Sequence, residues 1–444
     1  MSRPVLSAVR RRFDDLVRRR PEVGLIVGNM SWLLLERIAR MFLMLAMGVW
    51  TARYLGKTQY GQLNYARAMA TMFTVVATMG LDTIIVRELV RDGSRRDTIL
   101  GTALAIRFVG GLLAIALAAA TIFIVRPDDQ LLQWMTIVMA VGLLFRSLNI
   151  GEYWFQSQML ARKNATAKTA AALANCALRA ALILGGSALV AFAWVNAAEF
   201  AIEAAVLTFL LVQAGVSFRN FRFDWKAAKT MLHDGWPLIV TGFAIFVYMR
   251  IDQIMLGEMV DDDAVGIYAA AVRLSEAWYM LPTLLLNASM KAVTQAKSIS
   301  AELYENRMRK LLTLLAGLAY AVAIPLTLLS TPLVTLLFTS EYAAAGPVLR
   351  LHIWAAVFVF LGVGQSAWII NEGLTRIVLI NAILGAAVNV VLNYLLIPHY
   401  GAIGCAIATV ISYAVSAWLA NALFPATRRM FRLQVSALTL GLWK

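Results

Sequence analysis

Two stretches of this chain, Leu112 to Ala120 and Leu314 to Leu329, are apolar on every face of any regular structure they adopt. A helix on a water-soluble core shows a polar face, and a strand of a membrane barrel alternates polar and apolar positions, so neither accommodates them. Runs of this kind recur at about 24–50, 63–86, 99–125, 131–150, 168–190, 194–215, 235–257, 266–290, 311–338, 347–370, 376–397 and 402–424. Each approaches or exceeds the roughly 20 residues that a membrane-spanning helix needs. With 61% hydrophobic and only 15% charged residues in 444, against about 25% charged in a soluble domain, a soluble fold is excluded. The sequence predicts an all-α polytopic membrane protein with twelve transmembrane helices.

The net charge of +15 is read from where the cations fall rather than as a sign of nucleic acid, for which no partner is expected. The connections holding Arg126, Asp128 and Asp129, then Ala191 to Trp194, then Glu258, Asp261, Asp262 and Asp263 are poor in cations. Those holding Arg87, Arg91, Arg95 and Arg96, then Arg162, Lys163 and Lys168, then Arg219, Arg222, Lys226 and Lys229, then Lys291, Lys297, Arg307, Arg309 and Lys310 are rich in them. Basic connections stay on the cytoplasmic side, which predicts cytoplasmic N- and C-termini. The basic residues Arg10 to Arg20 precede an apolar run too long for a signal peptide and without a small-residue cleavage site, so that run is read as a retained first span.

The expected organisation is a basic N-terminal segment 1–23, a six-helix lobe 24–215, an inter-lobe loop 216–234, a second six-helix lobe 235–424 and a tail 425–444. The tail leaves no room for further spans. Tyr60-Gly61 followed by Arg67, and Val265-Gly266-Ile267-Tyr268 followed by Arg273, echo one another at corresponding points of the two halves. Cys176 and Cys405 lie inside apolar runs and read as packing residues.

Charges inside the spans carry the functional signal, because a charge at the bilayer centre costs from about 3 kcal/mol upward. The candidates are Glu36, Arg37, Arg40, Arg67, Arg107, Arg146, Arg179, Glu199, Glu203, Arg250, Asp252, Arg273 and Glu276. Arg67, Arg107 and Arg146 stand near span ends, where snorkelling to the headgroups is an alternative to a buried role. Arg37 and Arg40 share a helix face near mid-membrane, with Glu36 and Arg40 at an i, i+4 spacing that also suits a structural pair. Arg179 and Arg250 have no acid at i±3 or i±4 of their own helices. Arg273 has Glu276 at i+3, and Glu199 and Glu203 repel as like charges at i, i+4. Asp252 points away from Arg250 and reads as a proton or sodium site. Arg37, Arg40, Arg179, Arg250 and Arg273 are therefore assigned to an anionic substrate, and Asp252, Glu276 and Glu203 to ion coupling. No catalytic group, metal site or bound cofactor is expected beyond coupling to a proton or sodium gradient.

Tyr54-Leu55-Gly56 through Gln59-Tyr60-Gly61, Gly80-Leu81-Asp82 with Arg87-Glu88, and Arg250-Ile251-Asp252-Gln253-Ile254-Met255-Leu256-Gly257 form an ordered set of motifs. Gly266-Ile267-Tyr268 with Arg273, Glu341-Tyr342 before Val348-Leu349, and Pro398-His399-Tyr400-Gly401-Ala402-Ile403-Gly404 complete it. Over about residues 25–425 this set resembles the polysaccharide transporter family, which includes the O-antigen (Wzx-type) flippases of the multidrug/oligosaccharidyl-lipid/polysaccharide (MOP) superfamily. The resemblance implies a two-lobed flippase in the bacterial cytoplasmic (inner) membrane. It would move undecaprenyl-pyrophosphate-linked oligosaccharide units by alternating access through a cationic cavity, with Arg250, Asp252 and Arg273 lining it. A monomer that associates with polysaccharide assembly machinery is expected. The short tail, without two extra C-terminal helices, argues against lipid II as the substrate.

Two alternatives stand beside this reading. A cation-coupled drug or metabolite exporter of the same superfamily would favour an acidic or aromatic chamber, against the Arg excess here. A membrane-embedded glycan polymerase or ligase would need acid, base or nucleophile groups gathered near the outer surface, whereas His233, His352 and His399 are scattered. No Gly-x-x-x-x-Gly-Lys loop is present for an ATP-driven engine.

Overall fold

The computed structural model describes residues 21–441, with side chains described from Leu35 onward apart from Thr375. The basic N-terminal segment therefore lies outside the described residues except for its last three, which begin the first helix. The described chain is helical throughout, as lipid demands of a backbone that finds no water to bond.

The helices of the first part are α1 (Pro21–Met72), α2 (Thr74–Thr78), α3 (Asp82–Arg91), α4 (Arg96–Val125), α5 (Gln130–Ser147), α6 (Ile150–Ser157), α7 (Ala161–Leu184) and α8 (Leu189–Gln213). Then come α9 (Trp225–Met259), α10 (Asp262–Glu276), α11 (Met280–Ile299), α12 (Ala301–Leu328), α13 (Ser330–Phe338), α14 (Ala345–His352), α15 (Ala355–Glu372), α16 (Thr375–Ala414), α17 (Ala420–Leu423) and α18 (Arg428–Leu438). Nine segments among the described residues are long and apolar enough to cross a membrane. Two of them are each divided by a glycine: α1 breaks at Gly56 (φ 69°) and α16 at Gly401 (φ 52°). A positive φ is reached without strain by glycine.

Several starts are written in the sequence as side-chain caps. Asp129, Asp224, Asp261 and Ser300 accept backbone N–H bonds from Leu132, Lys226, Ala264 and Leu303 at 3.0, 2.8, 2.7 and 3.0 Å, each cap contributing about 1 kcal/mol. At Asp224, in a polar connection, the bonds from Ala227 and Lys226 hold the carboxyl below its ordinary range.

The spans are less regular than their apolar patterns. The run expected at 63–86 is interrupted after Met72 and again at Met79 (φ 51°), and that expected at 311–338 is split between α12 and α13. The stretch beyond 424 carries a docked helix, α18, whose Met430, Leu433 and Ala437 are buried on the side packed against α12.

α1 packs against α5, α7, α9 and α10, and α9 packs along α16. Fully buried alanines at the contacts, among them Ala66, Ala114, Ala193, Ala270 and Ala316, allow the close helix approach that substitutes for a hydrophobic driving force in lipid. At the acidic end, α1 and α10 meet with almost no space between backbones: a Cβ at Gly266 would overlap the Lys57 carbonyl, and one at Gly61 the Asp262 carbonyl. Around this contact Lys57 pairs with Asp263 at 2.7 Å, and Glu258 receives Arg126 at 2.6 Å and the Tyr65 hydroxyl at 2.7 Å.

Candidate functional site

Below the Gly61–Gly266 contact the helices separate around a cavity of about 730 Å³. Its charged walls are Arg67 on α1, Arg146 on α5, Glu199 on α8, Arg250 on α9, and Arg273 and Glu276 on α10. Arg67 and Arg273 lie six and seven residues beyond the paired glycines, so the echo between the two halves of the sequence becomes two cations on facing helices. Four guanidiniums against two carboxylates leave a positive excess. In a medium of low dielectric such an excess is costly unless water or an anion faces it.

Arg250 donates from Nη2 to Glu276 Oε2 at 2.8 Å, tying α9 to α10. Arg273 donates to the Met44 carbonyl at 3.0 Å and the Tyr60 hydroxyl at 3.2 Å, while its Nε has no partner among the described residues. This seat exists because residue 48 is glycine: a Cβ there would occupy the space of the Arg273 guanidinium. Gly48→Ala is therefore expected to swing the guanidinium away, lowering the affinity of the cavity for inorganic diphosphate roughly 10-fold, the loss of one hydrogen bond to a charged group. Thermal unfolding should hardly change, since Ala favours the helix. Gly93→Ala, which meets nothing within 4 Å, is the control that should leave both measurements alone.

A second chamber of about 230 Å³ shares Met44, Arg146 and Glu199 with the first and adds Arg40, Asn149, Glu152, Lys168 and Glu203. A third, of about 310 Å³, continues past Arg146, Glu152 and Lys168 to Asp82, Thr83 and Gln156, beside the basic connection at 87–96. Shared lining residues thus place the three spaces in series from the central cavity toward the basic end.

Of the residues singled out from the sequence, Arg250, Arg273 and Glu276 share the central cavity. Arg40 and Glu203 line the side chamber, with Arg40 bound to Glu36 at 3.0 Å. Arg37 is exposed and lines neither space. Arg179 is buried between α7 and α8, donating to Asn196 Oδ1 at 2.9 Å, outside both linings.

Asp252 occupies the far side of α9, 1% exposed. Its carboxylate accepts from Tyr268 Oη, Thr409 Oγ1 and Asn393 Nδ2, each at 2.5 Å, and has no cationic partner among the described residues. Arg250 and Asp252 are thus adjacent in sequence but serve different places.

Arg67 and Arg146, for which snorkelling was an alternative, face the cavity. Arg107 is fully buried rather than snorkelling, donating to Asp82 at 2.6 Å, Tyr153 at 2.7 Å and the Arg146 carbonyl at 3.0 Å. The cage around Asp252 was missed. Its signal was Asn389 and Asn393, amides at i, i+4 inside an otherwise apolar run.

The sequence comparisons bear on this geometry. A family model described as "polysaccharide biosynthesis protein" matches residues 26–294. The chain belongs to that family. A second model, MatE, matches residues 237–395. A curated relative is the probable flippase AglR of Haloferax volcanii, 29% identical over 188 residues. That match takes in 40% of this chain and 38% of AglR, so the chain spans well under two thirds of that relative's length.

Among solved structures, the fold is similar to an inward-facing multidrug resistance MATE family transporter of the MOP superfamily. The TM-score is 0.70 and the identity 19%, with 89% of this chain and 96% of that one covered. It is equally similar to the lipid II flippase MurJ in an inward closed conformation, at TM-score 0.70 and 15% identity over 92% and 91% of the two chains. The fold of this family member is therefore that of MATE and MurJ transporters, in a multi-pass membrane protein.

Proposed function

We propose that this chain is a flippase that carries undecaprenyl-pyrophosphate-linked oligosaccharide units, of O-antigen or exopolysaccharide type, across the bacterial cytoplasmic membrane by alternating access. The observation that carries the reading is the cavity with Arg67, Arg146, Arg250 and Arg273 against only Glu199 and Glu276. A diphosphate suits such forked cations, which pair bidentately with phosphate oxygens. Hydrocarbon excludes a charged, hydroxylated headgroup, and a polar chamber removes that cost while the prenyl tail stays in lipid. The names of AglR and MurJ support the same activity. No step of chemistry on the substrate is needed, and none of the relatives named above is an enzyme by its name.

The full proposal has twelve crossings. The breaks at Gly56 and Gly401 divide two of the nine long segments, and residues 262–299, in α10 and α11, supply one more. The lobes are 24–215 and 235–424, and the acidic connection at 258–263 faces outward, closed by the Gly61–Gly266 contact. Cysteines introduced at 261–263 are then expected to react with an impermeant maleimide in sealed cells, and those at Arg95 or Lys226 only after permeabilisation. Labelling at Lys226 in sealed cells would reverse the orientation. Coupling to a proton or sodium gradient runs through Asp252 and Glu276.

The functional test is flux in proteoliposomes of undecaprenyl diphosphate bearing a short oligosaccharide. A second reading, a cation-coupled drug exporter, is favoured by the MatE match over residues 237–395. Efflux of a lipophilic cation such as ethidium, with no flux of the glycolipid, decides for it.

A further inference from the structure

The side chamber differs in kind from the central cavity. Its cations are Arg40, Arg146 and Lys168, and its acids Glu152, Glu199 and Glu203, so its walls balance. Arg40 is taken up by Glu36, and Lys168 is bound to Glu152. Besides the unpaired Glu203, what remains unsatisfied there is hydrogen-bonding capacity. Asn149 is 4% exposed and lines the chamber, yet its Oδ1 has no partner among the described residues. Glu203 lines it without an ion pair among the described residues.

We propose that this chamber is a glycan subsite: neutral, hydroxyl-rich sugar next to the diphosphate lies against Asn149, Glu203 and Glu152 while the central arginines hold the phosphates. The inference rests on the flippase reading. Sugar hydroxyls donate well to carboxylates and amide oxygens, and a wall of balanced charge discriminates by hydrogen bonding instead of by net charge. The two spaces share Arg146 and Glu199, which suits a ligand whose sugar is bonded directly to its diphosphate. Both spaces lie within the size range of roughly 300–1,000 Å³ of ligand pockets only when the side chamber is taken with its continuation toward Gln156, so more than one sugar residue finds room along that path. This assigns Glu203 to the glycan rather than to a coupling ion.

The test compares two probes on purified protein by native mass spectrometry: undecaprenyl diphosphate alone, and the same lipid carrying a neutral trisaccharide. Asn149→Ala and, independently, Glu203→Gln are expected to weaken binding of the trisaccharide lipid about 10-fold each, one hydrogen bond to a buried acceptor, and to leave the bare diphosphate lipid unchanged. Arg273→Gln should weaken both lipids alike. If Asn149→Ala and Glu203→Gln, with unfolding temperatures like the parent's, weaken both lipids equally or neither, the chamber is not a glycan subsite and the flippase reading stands. If the unaltered protein binds neither lipid, the flippase reading fails and the subsite with it.

Discussion

Arg250→Gln and Arg273→Gln are each expected to reduce flux of the diphosphate-linked oligosaccharide by on the order of 10- to 100-fold, with the protein still inserted and folded. A hydrogen bond to a charged group is worth about 1.5–3 kcal/mol, and 1.4 kcal/mol is tenfold. The two sites differ in their side effects. Arg273 is held by a carbonyl and a phenol, so removing its charge strands no ion. Arg250 pairs with Glu276 at 2.8 Å, so Arg250→Gln alone also leaves a carboxylate without its cation. The informative variant at that site is therefore Arg250→Gln with Glu276→Gln, which leaves no unpaired charge, compared with Glu276→Gln alone, which carries any loss of coupling. Flux in proteoliposomes, normalised to reconstituted protein, measures both. Normal flux from the double variant would make the α9–α10 pair helix glue and remove Arg250 from the substrate site.

Asp252→Asn is expected to abolish the dependence of flux on the proton or sodium gradient. The carboxylate is buried with three neutral donors and no cation among the described residues. An isolated ion in such a place costs several kcal/mol, so the site calls for a proton or a small cation to complete it. Amide in place of acid keeps the shape and removes the need. Tyr268, Thr409 and Asn393 come from α10 and the two segments of α16, so occupancy of the site biases how these helices pack on α9, which also carries Arg250. Flux would be compared at matched and opposed gradients of pH and of sodium. A variant that keeps the full response to either gradient shows that coupling lies elsewhere. Asp252→Leu, which supplies no donor or acceptor to the three polar partners, should lower the unfolding temperature as well, because buried polar groups left without partners each cost about 1–3 kcal/mol.

The residues of the site were legible to different degrees, for physical reasons. Arg250 and Arg273 stood out because a charge in an apolar run is expensive wherever the helix turns. Arg67 and Arg146 were legible only as charges near span ends, since snorkelling and cavity lining look the same in one dimension. The structure separates them by what packs opposite: α10 across from Arg67, and α8 and α1 around Arg146. Arg179 carried the same sequence signal as Arg250, yet Asn196 on the neighbouring helix binds it outside the lined spaces. The Asp252 cage was the least legible, because its donors are neutral and two of the three, Asn393 and Thr409, come from segments more than a hundred residues away.

The sequence by itself determined that the chain is helical and crosses a membrane many times, and that its interior carries more cations than acids. Those properties follow from the cost of an unpaired peptide group or a bare charge in hydrocarbon, a cost paid locally by each helix whatever its neighbours. Which face of each helix meets the cavity, which Arg pairs with which acid, and that Gly48 makes room for Arg273 and Gly61 for Gly266 were decided only by tertiary packing. Two helices approach to backbone contact at one point and part at another, and that depends on the side chains of both together, which no single stretch of sequence contains.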